Sequence, residues 1–250
     1  NNELKYLRFK ISQRKFLIDR IINNNSGTLL DIGCGEGHTL KFFDENGWVV
    51  RGIDFSEQGL KQINPEMLSY AEIGNMDNII LEEISAGNLY DVVNLKNVLE
   101  HVRNPIRLLN NIRKLVKNSG CLVVTVPNDF SDLQKYCYKN DYIDEKFWIS
   151  PPDHLIYFDY QSLINIGVNT GWACYDVIAD FPIDWFILNP ESNYVKDKKK
   201  GPGAHNARIH MELILGEKDK KDLINYYSAL AKIGQGRDIT AFFTPKSCTK

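Results

Sequence analysis

The apolar run Thr28-Leu29-Leu30-Asp31-Ile32 leads straight into Gly33-Cys34-Gly35-Glu36-Gly37, and few folds accommodate such a junction. A short apolar run ending in alternating glycines reads as a buried strand that passes through a tight turn into a helix. Glycine lets the backbone come close to a ligand, and the helix behind it offers free N–H groups. In open α/β sheets, ligands bind beyond the carboxyl ends of the strands, where strand order reverses.

The ligand is not read as a dinucleotide. That fingerprint, G-x-G-x-x-G, would need glycine at position 38, and His38 stands there. Asp31 adds to the argument. A carboxylate at the strand end repels phosphate but suits a cation such as an ammonium or sulfonium. A second carboxylate, Asp54, closes the apolar segment Trp48–Asp54. At the end of a second strand it can accept both hydroxyls of a ribose. Phe55 follows, placed to pack on a base. Gly-rich turns and strand-end acids are also common as plain structure, so it is their combination that points to a nucleoside-bearing cation.

The rest of the chain alternates strand and helix. Leu4 to Ile21 has the spacing of an opening helix. Gly37–Asn46 reads as a helix, and a short helix capped by Ser56 ends near Pro65. Tyr70–Ile73, Tyr90–Leu95 and Cys121–Val126 read as strands. A helix from Pro105 through Val116 is stopped by Asn118-Ser119-Gly120. Beyond it lie a polar and aromatic insertion (129–150), a helix Tyr160–Thr170, a strand Ala173–Phe181 and a long loop, Asp184–Gly203. Helices Ala204–Leu215 and Lys220–Ile233 and a last strand, Asp238–Phe243, complete the order. The expected fold is α/β, with a doubly wound, mostly parallel seven-stranded sheet, an antiparallel last strand and helical insertions in the C-terminal half. One domain is expected over 1–250: an N-terminal helix (1–26), a cofactor-binding core (27–128) and substrate-side insertions with the final strands (129–250).

Composition is that of a globular chain. In 250 residues, 43% are hydrophobic and 25% charged, with a net charge of -2. No global basic field invites nucleic acid or an anionic membrane. No apolar run reaches the roughly 18 residues of a membrane span, and the polar, basic Asn1–Arg20 does not read as a signal peptide. The five cysteines, Cys34, Cys121, Cys137, Cys174 and Cys248, are scattered and odd in number. They suggest neither a disulfide framework nor a zinc site, and a cytoplasmic setting is expected.

Taken in order, these segments resemble class I S-adenosylmethionine-dependent methyltransferases. Leu29-Leu30-Asp31-Ile32-Gly33-Cys34-Gly35-Glu36-Gly37 looks like the family's first motif and Gly52-Ile53-Asp54-Phe55-Ser56 like its second. Ala71–Met76 resembles the segment beside the adenine. Tyr90-Asp91-Val92-Val93 through Val98-Leu99-Glu100-His101-Val102 resembles the fourth strand and its loop. Ser119-Gly120 through Val126-Pro127-Asn128 resembles the fifth strand, and Pro152-Asp153-His154-Leu155 the segment after it. The resemblance implies S-adenosylmethionine as cofactor and S-adenosylhomocysteine as product. It implies that Asp31, Gly33 and Gly35 hold the methionine part and Asp54 the ribose. Phe55 and Met76 would flank the adenine, Asn75 would bond its amino group, and Asn94 and Leu95 would line the inner edge. Tyr6, Lys10 or Arg14 could reach the cofactor carboxylate, or could simply be solvated helix charges.

Methyl transfer to a hydroxyl needs alignment, exclusion of water and a proton acceptor. Histidine has a suitable pKa. His154 is placed first as base and His101 close behind, with a loop-fixing role as the plainer reading of His101. Relatives that methylate catechol-like rings hold a metal with acids in the Glu-His segment. Asn97 stands where the extra acid would be, so no metal is expected.

The tail segments Asn193-Tyr194-Val195, Gly201–Arg208 and Ile233–Ile239 resemble methyltransferases of surface-polysaccharide and nucleotide-sugar pathways. The expected acceptor is therefore a sugar hydroxyl, nucleotide-linked, contacted by Asn128, Trp148, His205 and Arg208. A homodimer is an expected assembly. A phenol or quinone precursor is the alternative acceptor, and a non-catalytic cofactor-binding protein the alternative class.

Overall fold

The computed structural model describes residues 2–246, so Cys248 lies outside the described residues. The elements run α1 (Asn2–Ile22), β1 (Thr28–Ile32), α2 (His38–Glu45), β2 (Val49–Asp54), α3 (Gln58–Ile63), β3 (Ala71–Ile73), α4 (Met76–Ser85) and β4 (Tyr90–Lys96). They continue with α5 (Pro105–Ile112), β5 (Val116–Pro127), α6 (Asp132–Lys139), α7 (Tyr160–Asn169), β6 (Trp172–Ala179), α8 (Gly201–Leu215), α9 (Lys220–Lys232) and β7 (Asp238–Pro245).

Seven strands form one sheet in the order β3-β2-β1-β4-β5-β7-β6. β1 pairs in parallel with β2 and with β4, and β4 with β5, while β7 is antiparallel to both β5 and β6. The expected architecture therefore stands. The order turns outward in both directions from β1 and β4, so a crevice opens beyond their carboxyl ends.

The central strands are apolar on both faces because helices cover both. Leu29, Leu30, Ile32, Val92, Val93, Leu95, Leu122, Val123 and Val124 have no exposed surface. Each such leucine or isoleucine is worth about 1.5–3 kcal/mol of burial. α1 lies against β5, α2 and α8, which brings the start of the chain over the carboxyl edge of the sheet. No helix of the described residues is long and apolar enough to cross a membrane.

Several boundaries differ from expectation. The fifth strand begins at Val116, which pairs with Tyr90, so the preceding helix stops at Ile112 rather than at Asn118–Gly120. α4 was not read from the sequence. It buries Ile79, Ile80 and Glu83 and is capped by Asn75, whose side chain accepts from the Asn78 backbone. Within the 129–150 insertion, α6 is set by a Ser131/Gln134 capping box. The 184–203 loop holds 3₁₀ turns at Ile183–Leu188 and Lys198–Lys200, and α8 starts at Gly201 with Pro202 in its first turn.

Candidate active site

The glycine turn is held in shape by backbone bonds to β2. Gly33 and Cys34 both donate to the Ile53 carbonyl, at 2.7 and 3.2 Å. Gly33 has φ +74°, and a Cβ there would sit 2.4 Å from Val98 Cγ2. Gly35 has φ +55°, yet nothing lies within 4 Å of where its Cβ would be. That open space above the backbone is room for a ligand rather than for a side chain.

Asp54 ties the turn to the second strand. Its Oδ2 accepts from Gly35 N at 2.7 Å and its Oδ1 from Ser56 N at 3.0 Å. Both bonds fix the carboxylate at the cleft wall and leave lone pairs for hydroxyl donors. Asp31 is 2% exposed and accepts from Asn94 Nδ2 at 2.6 Å. Burial outweighs this bond and the nearby Arg14, and pushes the Asp31 carboxyl up to about 6. A carboxylate kept dry at a ligand-facing strand end gains most from a cationic partner.

A cleft of about 1140 Å³ opens over these residues. Its walls include Gly33, Gly35, Asp54, Phe55, Met76, His101 and His154, all singled out from the sequence. Phe55 is 86% exposed at the rim. Leu95 is fully buried beneath, Asn94 works through Asp31, and Asn75 is engaged as the cap of α4. The cleft therefore joins the two expected halves, a nucleoside side and a histidine side.

On the histidine side, loop 150–156 is anchored to the Leu99–His101 turn. Leu155 N and Ile156 N both donate to the Glu100 carbonyl. His101 and His154 rings meet edge-on with centroids 4.9 Å apart. His101 Nδ1 lies 2.7 Å from the Asp153 carbonyl oxygen. A carbonyl only accepts, so Nδ1 carries the hydrogen and neutral His101 presents a lone pair at Nε2. His154 Nδ1 is buried without a partner. Burial, then the neighbouring His101, lowers the His154 pKa.

Glu100 completes this corner. It is 1% exposed, and neither carboxylate oxygen has a hydrogen-bond partner. Burial pushes it up to about 7. Glu100, His101 and His154 each offer a ligand atom within 4.8 Å of the others, so the group could hold a metal ion. Asn97 stands where an acid would be in metal-dependent relatives, and the fold brings His154 to this corner. One carboxylate with two imidazoles suits a borderline cation better than an oxygen-seeking one. A cation held there would take the His101 Nε2 lone pair and polarise the acceptor oxygen in place of proton abstraction by that nitrogen.

The four expected acceptor contacts fare differently. Trp148 is 2% exposed and packs with Cys137, Ile143 and Ile187 in a separate apolar cluster. It is a core residue, not a stacking platform at the cleft. Asn128 is 1% exposed, and its amide donates to the Gly234 and Gly236 carbonyls. It staples β5 to the turn before β7 and is buried there. His205 and Arg208 are on α8, away from the histidine corner; Arg208 lines a second cavity that also touches Lys10, Arg14, Lys96 and Asn97, and His205 bonds Glu3 at its wall.

Sequence reasoning missed several residues of the cleft wall. Gln58, Gln62, Asn97, Val98, Ser150 and Asp153 line it. Asn97 could have been found: a polar residue just past a strand end is the kind that tolerates a positive φ, here +54°. Ser150 gave no local signal, and Asp153 only a motif with no site role attached, because only the return of loop 150–156 brings them in.

Comparison with known proteins agrees with this fold. A methyltransferase-domain family matches residues 6–177, more than half of the chain, and the chain belongs to that family. The ubiquinone biosynthesis O-methyltransferase of Nitrosomonas europaea is 31% identical over 131 residues, covering 51% of this chain and 56% of that protein. The chain thus spans about half the length of the curated relatives it matches. Among solved structures, a SAM-dependent methyltransferase from Archaeoglobus fulgidus superposes with a TM-score of 0.54 at 18% identity, covering 93% of both chains. The plantazolicin methyltransferase BamL, solved in complex with a triazolic desmethylPZN analog and SAH, gives 0.56 at 16% identity, covering 97% of this chain and 86% of that one. At these identities the structures are alike in fold.

Proposed function

We propose that the protein is an S-adenosylmethionine-dependent O-methyltransferase. The observation that carries the reading is Asp54 at the cleft wall beside an open glycine turn, with Asp31 buried at the end of β1 behind it. When bound, the cofactor supplies a methyl group already activated on a sulfonium. Asp31 would offer its carboxylate to the positive end, the Gly35 backbone would lie beside it, Asp54 would accept the ribose hydroxyls, and Phe55 and Met76 would border the adenine. His101 takes the acceptor proton at Nε2, oriented by the Asp153 carbonyl. His154 packs against it and keeps the ring in place, reversing the order given to the two from the sequence.

The acceptor we favour is a hydroxyl on an aromatic ring, as in a phenol or quinone precursor. The names of the curated relatives support it. The nucleotide-linked sugar rested on tail segments that have structural employment here. Asn193 donates to the Tyr142 carbonyl, Gly201 and Pro202 start α8, and the Gly234 and Gly236 carbonyls hold Asn128. A product assay tests the choice: incubate the protein with S-adenosylmethionine and panels of catechols and nucleotide sugars, and look for one added methyl. Methylation of a catechol but no sugar is expected; methylation of sugars alone would return the acceptor to the sugar class.

A further inference from the structure

The second cavity has a role that the proton-acceptor corner does not need. It holds about 200 Å³ and lies between α1, α8 and the end of β4. A water's share of liquid volume is roughly 30 Å³, so a compact polar group fits with solvent to spare. Its wall carries four basic side chains, Lys10, Arg14, Lys96 and Arg208, against two acidic ones, Glu3 and Asp238.

The acids offset the bases only in part: Asp238, half-buried beside Asp180, faces Lys10 and Lys96 without a salt bridge to either. Glu3 is engaged by His205 Nε2 at 2.8 Å. Lys10 is paired with Asp180, at 3.2 Å, from behind the wall. Among the described residues, Arg14, Lys96 and Arg208 form no salt bridge. Arg14 is 8% exposed, and its Nε donates only to the Lys10 carbonyl of its own helix, at 3.4 Å. Arg208 rests its guanidinium on the Tyr6 ring and bonds His205 Nδ1, while its Nε is buried without a partner. Lys96 reaches solvent but is walled in by protein; desolvation, then repulsion from Arg14 and Lys10, outweighs the attraction of Asp238 and Asp31 and pulls its pKa down to about 8. Crowded cations without a salt-bridge partner favour an anion among them.

The cofactor brings one carboxylate, which Arg14, next to Asp31, can meet. Lys96 and Arg208 remain. Asn97 lines both this cavity and the main cleft, so a molecule whose hydroxyl sits at the histidines has a route to both. We infer that Lys96 and Arg208 bind an anionic group of the acceptor itself, a carboxylate or a phosphate. This deepens the methyltransferase reading and rests on it. The acceptor is then an acidic molecule whose charge anchors it while its hydroxyl is presented.

The test is calorimetric binding to protein first saturated with S-adenosylhomocysteine. Absence of that first binding would count against the methyltransferase reading, not against the anion site. The probes are 3,4-dihydroxybenzoate, its uncharged methyl ester, and uridine diphosphate. The benzoate or the diphosphate should bind at least tenfold tighter than the ester, and whichever does identifies the anion. Lys96→Met and Arg208→Gln should each remove that preference, Arg208→Lys should restore part of it, and S-adenosylhomocysteine affinity should stay within twofold. The inference is overturned if neither anion outbinds the ester. It is equally overturned if the preference survives both substitutions, or if they weaken S-adenosylhomocysteine instead, which would give these cations to the cofactor carboxylate.

Discussion

His101 donates from Nδ1 to the backbone carbonyl of Asp153 at 2.7 Å, and this bond fixes which ring nitrogen is free. A backbone acceptor cannot titrate, so the tautomer is set by loop geometry rather than by pH. The same loop is bound to the Glu100 carbonyl through Leu155 and Ile156. Orientation of the proton acceptor thus depends on the contact between the loops following β4 and β5.

His101→Ala should lower turnover by about 10²–10⁴-fold, the usual worth of a general base. Affinity for S-adenosylhomocysteine should be unchanged. His154→Ala should cost less, because it removes a packing partner and not the acceptor. Steady-state rates paired with calorimetry read both. An intact rate in His101→Ala, with a large loss in His154→Ala, would move the base to His154.

Asp31 links ligand binding to stability. Its folded pKa is raised from 3.8 to about 6, so the folded state holds the proton more tightly than the unfolded chain. Stability of the ligand-free protein is therefore undiminished by this group below about pH 4 and falls as pH rises towards 6. The shift of roughly two units amounts to about 3 kcal/mol at neutral pH. Asp31→Asn should accordingly raise the melting temperature of the ligand-free protein at pH 7.5 while weakening the cofactor. Wild-type cofactor affinity should drop as pH falls through about 6, and the variant should lack that step. A variant that melts lower and binds normally would mean that Asp31 has an internal partner, not a ligand.

Trp148 separates core from site. Filling the Cys137, Ile143 and Ile187 cluster, it should cost about 3–5 kcal/mol as Trp148→Ala, the range for deleting a large buried aromatic. Trp148→Phe should leave the acceptor KM near wild type. Denaturant melts and initial rates check this. A raised KM with normal stability would restore the sequence-based assignment of Trp148 to the acceptor.

The legible parts of the sequence were those with local causes. The glycine turn, the strand-end acids and the apolar runs each follow from neighbouring residues, so the sheet and the nucleoside half of the cleft could be read. Two kinds of feature could not. α4 and α6 depend on caps at Asn75 and Ser131 within polar stretches of weak periodicity. Contacts closed by distant segments were invisible too: Asp153 on His101, Gly234 and Gly236 on Asn128, and α1 against α8. Trp148 and Asn128 misled for one reason. Aromatic and amide side chains suit ligands and interiors equally, and only burial decides between them.

The central claim is that one cleft holds a nucleoside-bearing cation through Asp31 and Asp54. Calorimetry of S-adenosylhomocysteine with wild-type and Asp54→Ala protein tests it most directly. The account predicts binding by the wild type and a loss of about 1–3 kcal/mol in the variant, the worth of a hydrogen bond to a charged group. No binding by the wild type, or equal affinity in both proteins, would contradict it.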